Sequence, residues 1–444
     1  MDDALAFLGR YRVLTVAHRS ATCTVLLAED THAAGKLVAL KLMRQGDSFL
    51  REVALRQQRQ LSSDFVVNVL RVHLAAEVSG AAGIEERLRT EAPGVEVHLR
   101  KDFGRNAQYS KYCFCLVMPQ AERSLSSAIT HDRAAAGDDW ALVRFISTNL
   151  ANALDHLHKS DIVHGDIKPL NVMRSGDTYK LIDLDVAAEI GKPLGNKRPS
   201  SAHCAPEVAK LLIECDKAAA EERRSEHVVG PIMEQLTADE AQDLWGFGVT
   251  LFHLGSGSSL WHMDDHTDDI ANPEDLQRLA DWEEGTARHY LRRLRATKGQ
   301  PDKMALFDLV EKLLVKDPGQ RRANFPYGMA SVLEHPFLDS RTLDDATLEA
   351  LNVKVDHDDA TLKQIQQSTE GLHVVEQLSV LGRMMTTLLS HGAKSVPTLV
   401  LLLPHQSQGG MLSKLYPKTW MSNQVAVFFV DPVDMTRAAT NDGK

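Results

Sequence analysis

The chain has 444 residues, 43% of them apolar, so it can bury a sizeable core, and at ~150 residues per domain it holds about three folding units. A formal net charge of −10 argues against a general nucleic-acid binder, which would carry a basic field. Five cysteines without paired metal spacing, a Met-Asp-Asp start without a basic-then-apolar leader, and no apolar run near ~20 residues leave no sign of a zinc site, secretion or membrane insertion, so the expected compartment is the reducing cytoplasm.

Strand patterns come first. Tyr11 to Val16 and Thr22 to Leu27 flank a short polar turn, and Leu37 to Met43 is a third apolar run. A helix is expected from Ser48 to Leu61, then more strand from Val66 to Val78. Residues 79 to 110 are polar and read as a long hairpin insertion, and Tyr112 to Met118 as another strand. From Ser124 to Asp339 the helical period dominates. Trp140 to His158 places Leu142, Phe145, Ile146, Leu150, Leu154 and Leu157 on one face. Ala241 to Leu254 and Met304 to Val315 are further apolar helices, whereas 208 to 240 reads as a polar insertion. After Asp339 the character changes. Thr342 to Ser395 is helical and polar, and Pro397 to Pro404 and Val425 to Val430 are strand-like with no partner sheet in view. This tail is either the start of a further domain cut short or an appendage packing on the main body.

Several residues bear chemistry. Lys41 lies inside an apolar strand, where a lysine is costly to bury alone. It is either an edge-strand lysine facing water or an anchor for phosphates, and Glu52 on the next helix can pair with it. The loop His164 to Asn171 carries Asp166, Lys168 and Asn171, and the run Tyr179 to Ile182 presents Asp183 at its end. Singly, each is a common turn residue. Together they offer what phosphoryl transfer requires: positive charge for phosphates, oxygen ligands for Mg²⁺, and a carboxylate near an attacking hydroxyl.

The order Val38-Ala39-Leu40-Lys41, Glu52, His164-x-Asp166-x-Lys168-x-x-Asn171, Asp183-Leu184-Asp185, Ala205-Pro206-Glu207 resembles the signature set of protein kinases, over about residues 8 to 339. The resemblance implies an α+β, bilobal kinase fold, with a β-rich lobe over 8–120 and a helical lobe over 121–339; beyond it, 340–444 reads as a C-terminal α/β extension expected to contact the kinase or another domain. It implies ATP as phosphoryl donor, Mg²⁺, and a protein substrate phosphorylated on Ser or Thr, since tyrosine-specific kinases usually lack a lysine at the place of Lys168. By the same resemblance Asp166 is the base and Lys168 neutralises the moving phosphoryl group. Asn171 and Asp183 hold Mg²⁺, and Lys41 grips phosphates while paired to Glu52. Val25, Ala39, Met118, Gln120 and Met173 line the nucleotide, Met118 as gatekeeper and Gln120 within the hinge Pro119-Gln120-Ala121. Glu207 should pair with Arg321, and Asp243 should tie the catalytic loop to the large helix.

Four departures from the family pattern stand out. The glycine-rich loop has His18, Ser20 and Cys23 at its glycine positions, which reshapes the lid over ATP. Gly165 replaces an arginine that normally receives an activation-segment phosphate, so activity is expected without that phosphorylation. Asp185 replaces glycine, as a third carboxylate or, by preference, a turn cap. Arg56 stands where an apolar residue usually packs, through a register shift or an unusual pairing. Ser200 and Ser201 are candidate phosphosites or plain loop residues. The rival readings are a pseudokinase scaffold, favoured by the missing glycines, and a small-molecule phosphotransferase, which shares His-Gly-Asp but generally lacks Lys168, Ala-Pro-Glu and the Asp243 helix.

Overall fold

The computed structural model of the protein describes residues 6–20, 22–76, 81–103, 109–131, 139–194, 198–222, 231–264, 268–294, 300–339, 399–404, 419–422 and 425–430. The chain divides into two compact units, Met1–Asp281 with Lys312–Asp339, and Trp282–Glu311 with Ser340–Lys444.

The first unit begins with a six-stranded sheet in the order β1-β2-β3-β6-β4-β5. Its strands are β1 (Tyr11–Arg19), β2 (Cys23–Asp30), β3 (Lys36–Met43), β4 (Arg71–Ala75), β5 (Glu96–Arg100) and β6 (Phe114–Pro119). Alternation decides which residues face inward. On β2, Leu26 and Ala28 are buried while Val25 and Leu27 are half-exposed. The central strand β6 is apolar on both faces because both are covered. One face packs on α1 (Gly46–Gln58) through Phe49, Leu50 and Val53, and the other closes over Tyr11, Leu40, Leu42, Cys115 and Val117. Full burial of a side chain such as Phe49 contributes about 1.5–3 kcal/mol.

The described residues between 79 and 110 do not form the expected hairpin insertion. They contain α2 (Ala81–Glu91) and β5, which pairs parallel to β4. Ile84 and Leu88 make the inward stripe, and Arg89–Glu85 and Arg87–Glu91 pairs at the same i,i+4 spacing line the outer face. Parallel neighbours need such a crossover helix, which a hairpin reading of a charged stretch misses. The strand expected over Val66–Val78 shortens to β4, with Val66 making only an isolated bridge to Leu181.

Helices follow: α3 (Leu125–His131), α4 (Trp140–Lys159), α5 (Pro206–Glu222), α6 (Glu240–Ser256) and α7 (Pro273–Ala280). The N-cap of α4 is Asp139, whose Oδ1 accepts the Leu142 N–H at 2.9 Å. Its buried stripe runs through Val143, Ile146, Leu150, Leu154 and Leu157, so Phe145 falls outside it and rests edge-on against Tyr179. The region 208–240, read as an insertion, starts as α5, whose Val208, Ala209, Leu212 and Cys215 are core; residues 223–230 lie outside the described chain. α6 is apolar all round and buried along nearly its whole length, with a capping box formed by Asp239 and Gln242.

Short strands frame the loops between α4 and α5. β8 (Ile162–Val163) pairs with β11 (Ala188–Glu189), and the hairpin of β9 (Val172–Ser175) and β10 (Thr178–Leu181) pairs with β7 (Arg123–Ser124). These ladders fix where the chain leaves at His164 and returns at Asp183. The second unit contains α8 (Glu284–Leu291) and most of α9 (Pro301–Leu313). α10 (Pro318–Ala323) and α11 (Met329–Leu333) belong to the first. The two strands foreseen in the tail are β12 (Leu399–Pro404) and β14 (Val425–Val430), and they do have a partner sheet. They pair antiparallel with each other, and β13 (Thr419–Ser422) adds a third strand. The helix expected over 342–395 lies outside the described residues. Among the described residues no helix is long and apolar enough to cross a membrane.

Candidate active site

The site grows from one aspartate on α6. Asp243 is 1% exposed, and its two oxygens accept the backbone N–H groups of His164 (2.8 Å) and Gly165 (2.9 Å). The first effect on this carboxylate is burial, which raises its pKa, but the His158 hydrogen bond and its other partners outweigh that and hold it below the usual value. Two glycines make the junction possible. Gly165 has φ +76°, a left-handed conformation, and a Cβ there would lie 3.2 Å from Val186 and 3.3 Å from Leu194. A Cβ on Gly246 would stand 2.9 Å from the Ile167 side chain, so this glycine lets α6 approach the loop closely.

The loop then turns through Asp166, Lys168 and Asn171. Asp166 Oδ1 accepts the Ser200 N–H at 3.0 Å, and Asn171 Nδ2 donates to Asp166 Oδ2 at 3.1 Å and to its backbone oxygen at 2.8 Å. The amide nitrogen of Asn171 is thus committed inward, so its Oδ1 is the atom suited to a cation. Lys168 Nζ sits 3.5 Å from Asp166 Oδ2 and 3.1 Å from Asp268 Oδ2, and bonds the Ser200 hydroxyl. Burial lowers the Lys168 pKa, but Asp166 and Asp268 outweigh it and raise the net value.

Opposite lies the second half of the site. Asp183 has φ +64°, strained for a residue with a Cβ though better tolerated by aspartate than by most. Its Oδ1 is 2.6 Å from Lys41 Nζ, while Glu52 Oε1 is 3.4 Å and Asp185 Oδ2 3.8 Å away. Lys41 is therefore a buried lysine ringed by three carboxylates, not an edge lysine facing water. Burial alone would lower its pKa, but these carboxylates raise it well above the usual value.

Arg56 resolves the doubt about the register of α1. The register stands, and the pairing is unusual: Arg56 is 4% exposed, lies 3.5 Å from Glu52 Oε1, and donates to the Val67 backbone oxygen at 3.0 Å. Arg51 anchors the other side, donating to the Asp185 backbone oxygen at 2.9 Å. Asp185 also turns its carboxylate toward Lys41, which is the third-carboxylate arrangement.

On the sheet, Val25 pairs with Lys41, and Ala39 pairs with Met118. Directly paired residues share a face, so Val25, Ala39, Lys41 and Met118 lie on one side of three adjacent strands. Leu27, opposite Ala39, joins them, and only the strand register reveals it. Gln120 follows β6 and donates its N–H to Leu37 at 3.4 Å, and Met173 lies on β9 opposite Lys180. At the turn between β1 and β2, where glycines are missing, Ser20 Oγ accepts the Cys23 N–H at 3.1 Å and the Thr22 N–H at 3.3 Å. A side chain thus closes a turn that glycine would otherwise shape.

The expected ion pair behind the site is present. Arg321 is fully buried and makes two bonds to Glu207, of 3.0 and 3.2 Å, with further bonds to the backbone oxygens of Ala241, Val315 and Lys316. Its guanidinium also lies over the Trp245 ring, 5.1 Å from the centroid. Asp268, beside Lys168, and Asp269, which accepts two bonds from Ser201, come from the α6–α7 connection and carry no sequence signal beyond a local run of acidic residues.

A family model described as "Protein kinase domain" matches residues 103–338, just over half of the chain. Among curated proteins, the chain is 25% identical to "Serine/threonine-protein kinase WAG2" of Arabidopsis thaliana, over 44% of this chain and 43% of that one. It is 25% identical to "Serine/threonine-protein kinase mig-15" of Caenorhabditis elegans over 49% of this chain and 17% of that one. It is 23% identical to "Mitogen-activated protein kinase 12" of Homo sapiens over 58% and 65%. The chain thus spans less than two thirds of the length of each of these relatives.

Proposed function

Since the chain belongs to the protein kinase family, we propose that it is an active Ser/Thr kinase that moves the γ-phosphoryl group of ATP to a protein hydroxyl. The observation that carries this reading is that Asp166, Lys168 and Asn171 contact one another, that Lys41 lies 2.6 Å from Asp183, and that the Ile182 N–H, next to Asp183, bonds the Asn171 oxygen at 3.0 Å, although Lys41 lies outside the stretch that the family model matches. We further propose 8–120 and 121–339 as its two lobes. The nucleotide lies on the sheet face of Val25, Ala39 and Met118, with Gln120 in the hinge and Met173 beneath.

Asn171 and Asp183 offer hard oxygen donors suited to Mg²⁺, which usually takes one or two protein carboxylates and completes its shell with phosphate oxygens and water. The ion, when bound, neutralises phosphate charge. Lys41 binds phosphate oxygens and stays protonated across the physiological range, because its surrounding carboxylates favour the cation. Asp166 accepts the proton of the acceptor hydroxyl, its carboxylate oriented by the Ser200 N–H at Oδ1 and by Asn171 Nδ2 at Oδ2. Lys168 offsets charge at the transferred group. The glycine-free β1–β2 turn favours the rival reading, a nucleotide-binding scaffold without transfer.

The test is Mg²⁺-dependent transfer of labelled phosphate from ATP, by the wild type and by Asp166→Asn, with nucleotide binding measured alongside. Transfer lost on substitution while binding persists supports the proposal. Binding without transfer in both proteins supports the scaffold.

A further inference from the structure

We propose that Asp269, together with the backbone of Asp268 and Ile270, forms a built-in clamp that positions the segment around Ser200 and Ser201 against Asp166 without any phosphate. This rests on the reading of Asp166 as the base.

The clamp is braced by its own backbone. Between α6 and α7 the Asp264 N–H donates to the Asp269 oxygen at 2.8 Å and the Asp268 N–H to the Asp264 oxygen at 3.1 Å, bonds that close a turn whose described ends are Asp264 and Asp268–Ile270. Met263 and Ile270 form an antiparallel bridge beneath, and Asp268 takes a left-handed φ of +58°. From this turn Asp269 Oδ1 accepts two bonds from Ser201, from the N–H and from the hydroxyl, each 2.9 Å. The Ile270 N–H donates to the same hydroxyl at 2.8 Å, and the Ala202 N–H reaches the Asp268 oxygen at 3.4 Å.

The next residue back is Ser200, whose N–H holds Asp166 Oδ1 at 3.0 Å and whose hydroxyl bonds Lys168. A continuous line therefore runs from the turn through Ser201 and Ser200 to the carboxylate that takes the proton. The Ser201 hydroxyl both donates and accepts, and the residue is 1% exposed. A phosphate there would place about −1.5 to −2 charge beside Asp269 in a closed space, so Ser201 is an anchor and not a switch. This also fits Gly165, which leaves the loop without the arginine that would receive such a phosphate.

The experiment uses the full chain and two readouts: hydrogen exchange of the 199–204 amides, which needs no activity, and steady-state phosphoryl transfer. A bond to a charged group contributes ~1.5–3 kcal/mol, so Asp269→Ala is expected to speed exchange at Ser200 and Ser201 by ~10- to 100-fold and lower kcat similarly, with KM for ATP unchanged. Asp269→Asn keeps an acceptor oxygen and recovers most of both. Wild-type exchange in Asp269→Ala, an asparagine variant as impaired as the alanine one, or a KM for ATP rising in step with the loss of kcat overturns the clamp. Ser201→Ala, which loses the hydroxyl but keeps the N–H, gives the same exchange test with a milder expected effect should Asp269→Ala not fold. A wild type without transfer sinks the kinase reading instead, and the exchange result still decides the clamp.

Discussion

Replacing Lys41 with methionine removes one cation from a site holding three carboxylates. Glu52 is fully buried, Asp185 is 5% exposed at its side chain and Asp183 20%, and Lys41 lies within 3.8 Å of all three. Breaking a buried ion pair from one side costs about 3–5 kcal/mol, because the remaining charge has no compensation. Arg56 stays beside Glu52, 3.5 Å away, which places the expected loss near the lower end, about 3 kcal/mol. With a urea slope of about 2.5 kcal/mol/M, the midpoint should fall by about 1 M. Intrinsic tryptophan fluorescence, with Trp245, Trp261 and Trp282 buried in the folded state, follows the transition. Since the Lys41 pKa is raised above its usual 10.5, its stabilisation is complete below pH 10.5 and is lost only as pH climbs through the folded value. The Lys41→Met deficit should therefore stay flat between about pH 6 and 9. Asp183→Asn removes the nearest partner, so the double variant should fall short of the sum of the singles by about 1 kcal/mol or more. An unshifted midpoint for Lys41→Met, or strict additivity with Asp183→Asn, refutes the cluster as the source of this stability.

Arg321→Ala should cost about 3–5 kcal/mol in chemical denaturation, with no rescue by Arg321→Lys, because lysine lacks the fork that binds both Glu207 oxygens. His73 and His203 are buried and neutral, with pKa values pushed down to about 3, first by burial. Their stabilisation is complete above the unfolded value of 6.5 and is lost as pH falls from there toward 3, so denaturation at stepped pH should show a slope that His73→Gln and His203→Gln each reduce. Gly165→Ala should destabilise by about 1–2 kcal/mol, since it forces a Cβ into a left-handed conformation beside Val186 and Leu194. Phosphatase treatment of the purified protein should leave its transfer rate unchanged; a rate that collapses contradicts the phosphate-free geometry around Gly165.

What the sequence reveals of this site depends on how local the physics is. The loop from His164 to Asn171 and the acid at Asp183 stand at fixed offsets within short elements, and the Ile182 N–H bonds the Asn171 oxygen at 3.0 Å, next to Asp183. For Lys41 the sequence leaves an edge lysine and a paired, buried one both open, and its burial beside Glu52 decides between them. Arg56 was visible as an oddity, but its solution, a bond to the Val67 oxygen, depends on where the next segment packs. Asp268 and Asp269 were silent, since their importance comes from contacts with residues dozens of positions away. The crossover helix α2 is hard to read from sequence because its own ion pairs make it polar over most of its surface, with only Ile84 and Leu88 forming the inward stripe.

The most direct test of the central claim is single-turnover transfer from ATP to a Ser/Thr peptide library, comparing the wild type with Asp166→Asn at saturating nucleotide. The account predicts Mg²⁺-dependent phosphoserine or phosphothreonine from the wild type, and a loss of ~10²–10⁴-fold in the variant, the range for a positioned general base. A wild type as inert as Asp166→Asn, or a variant as fast as the wild type, would contradict it.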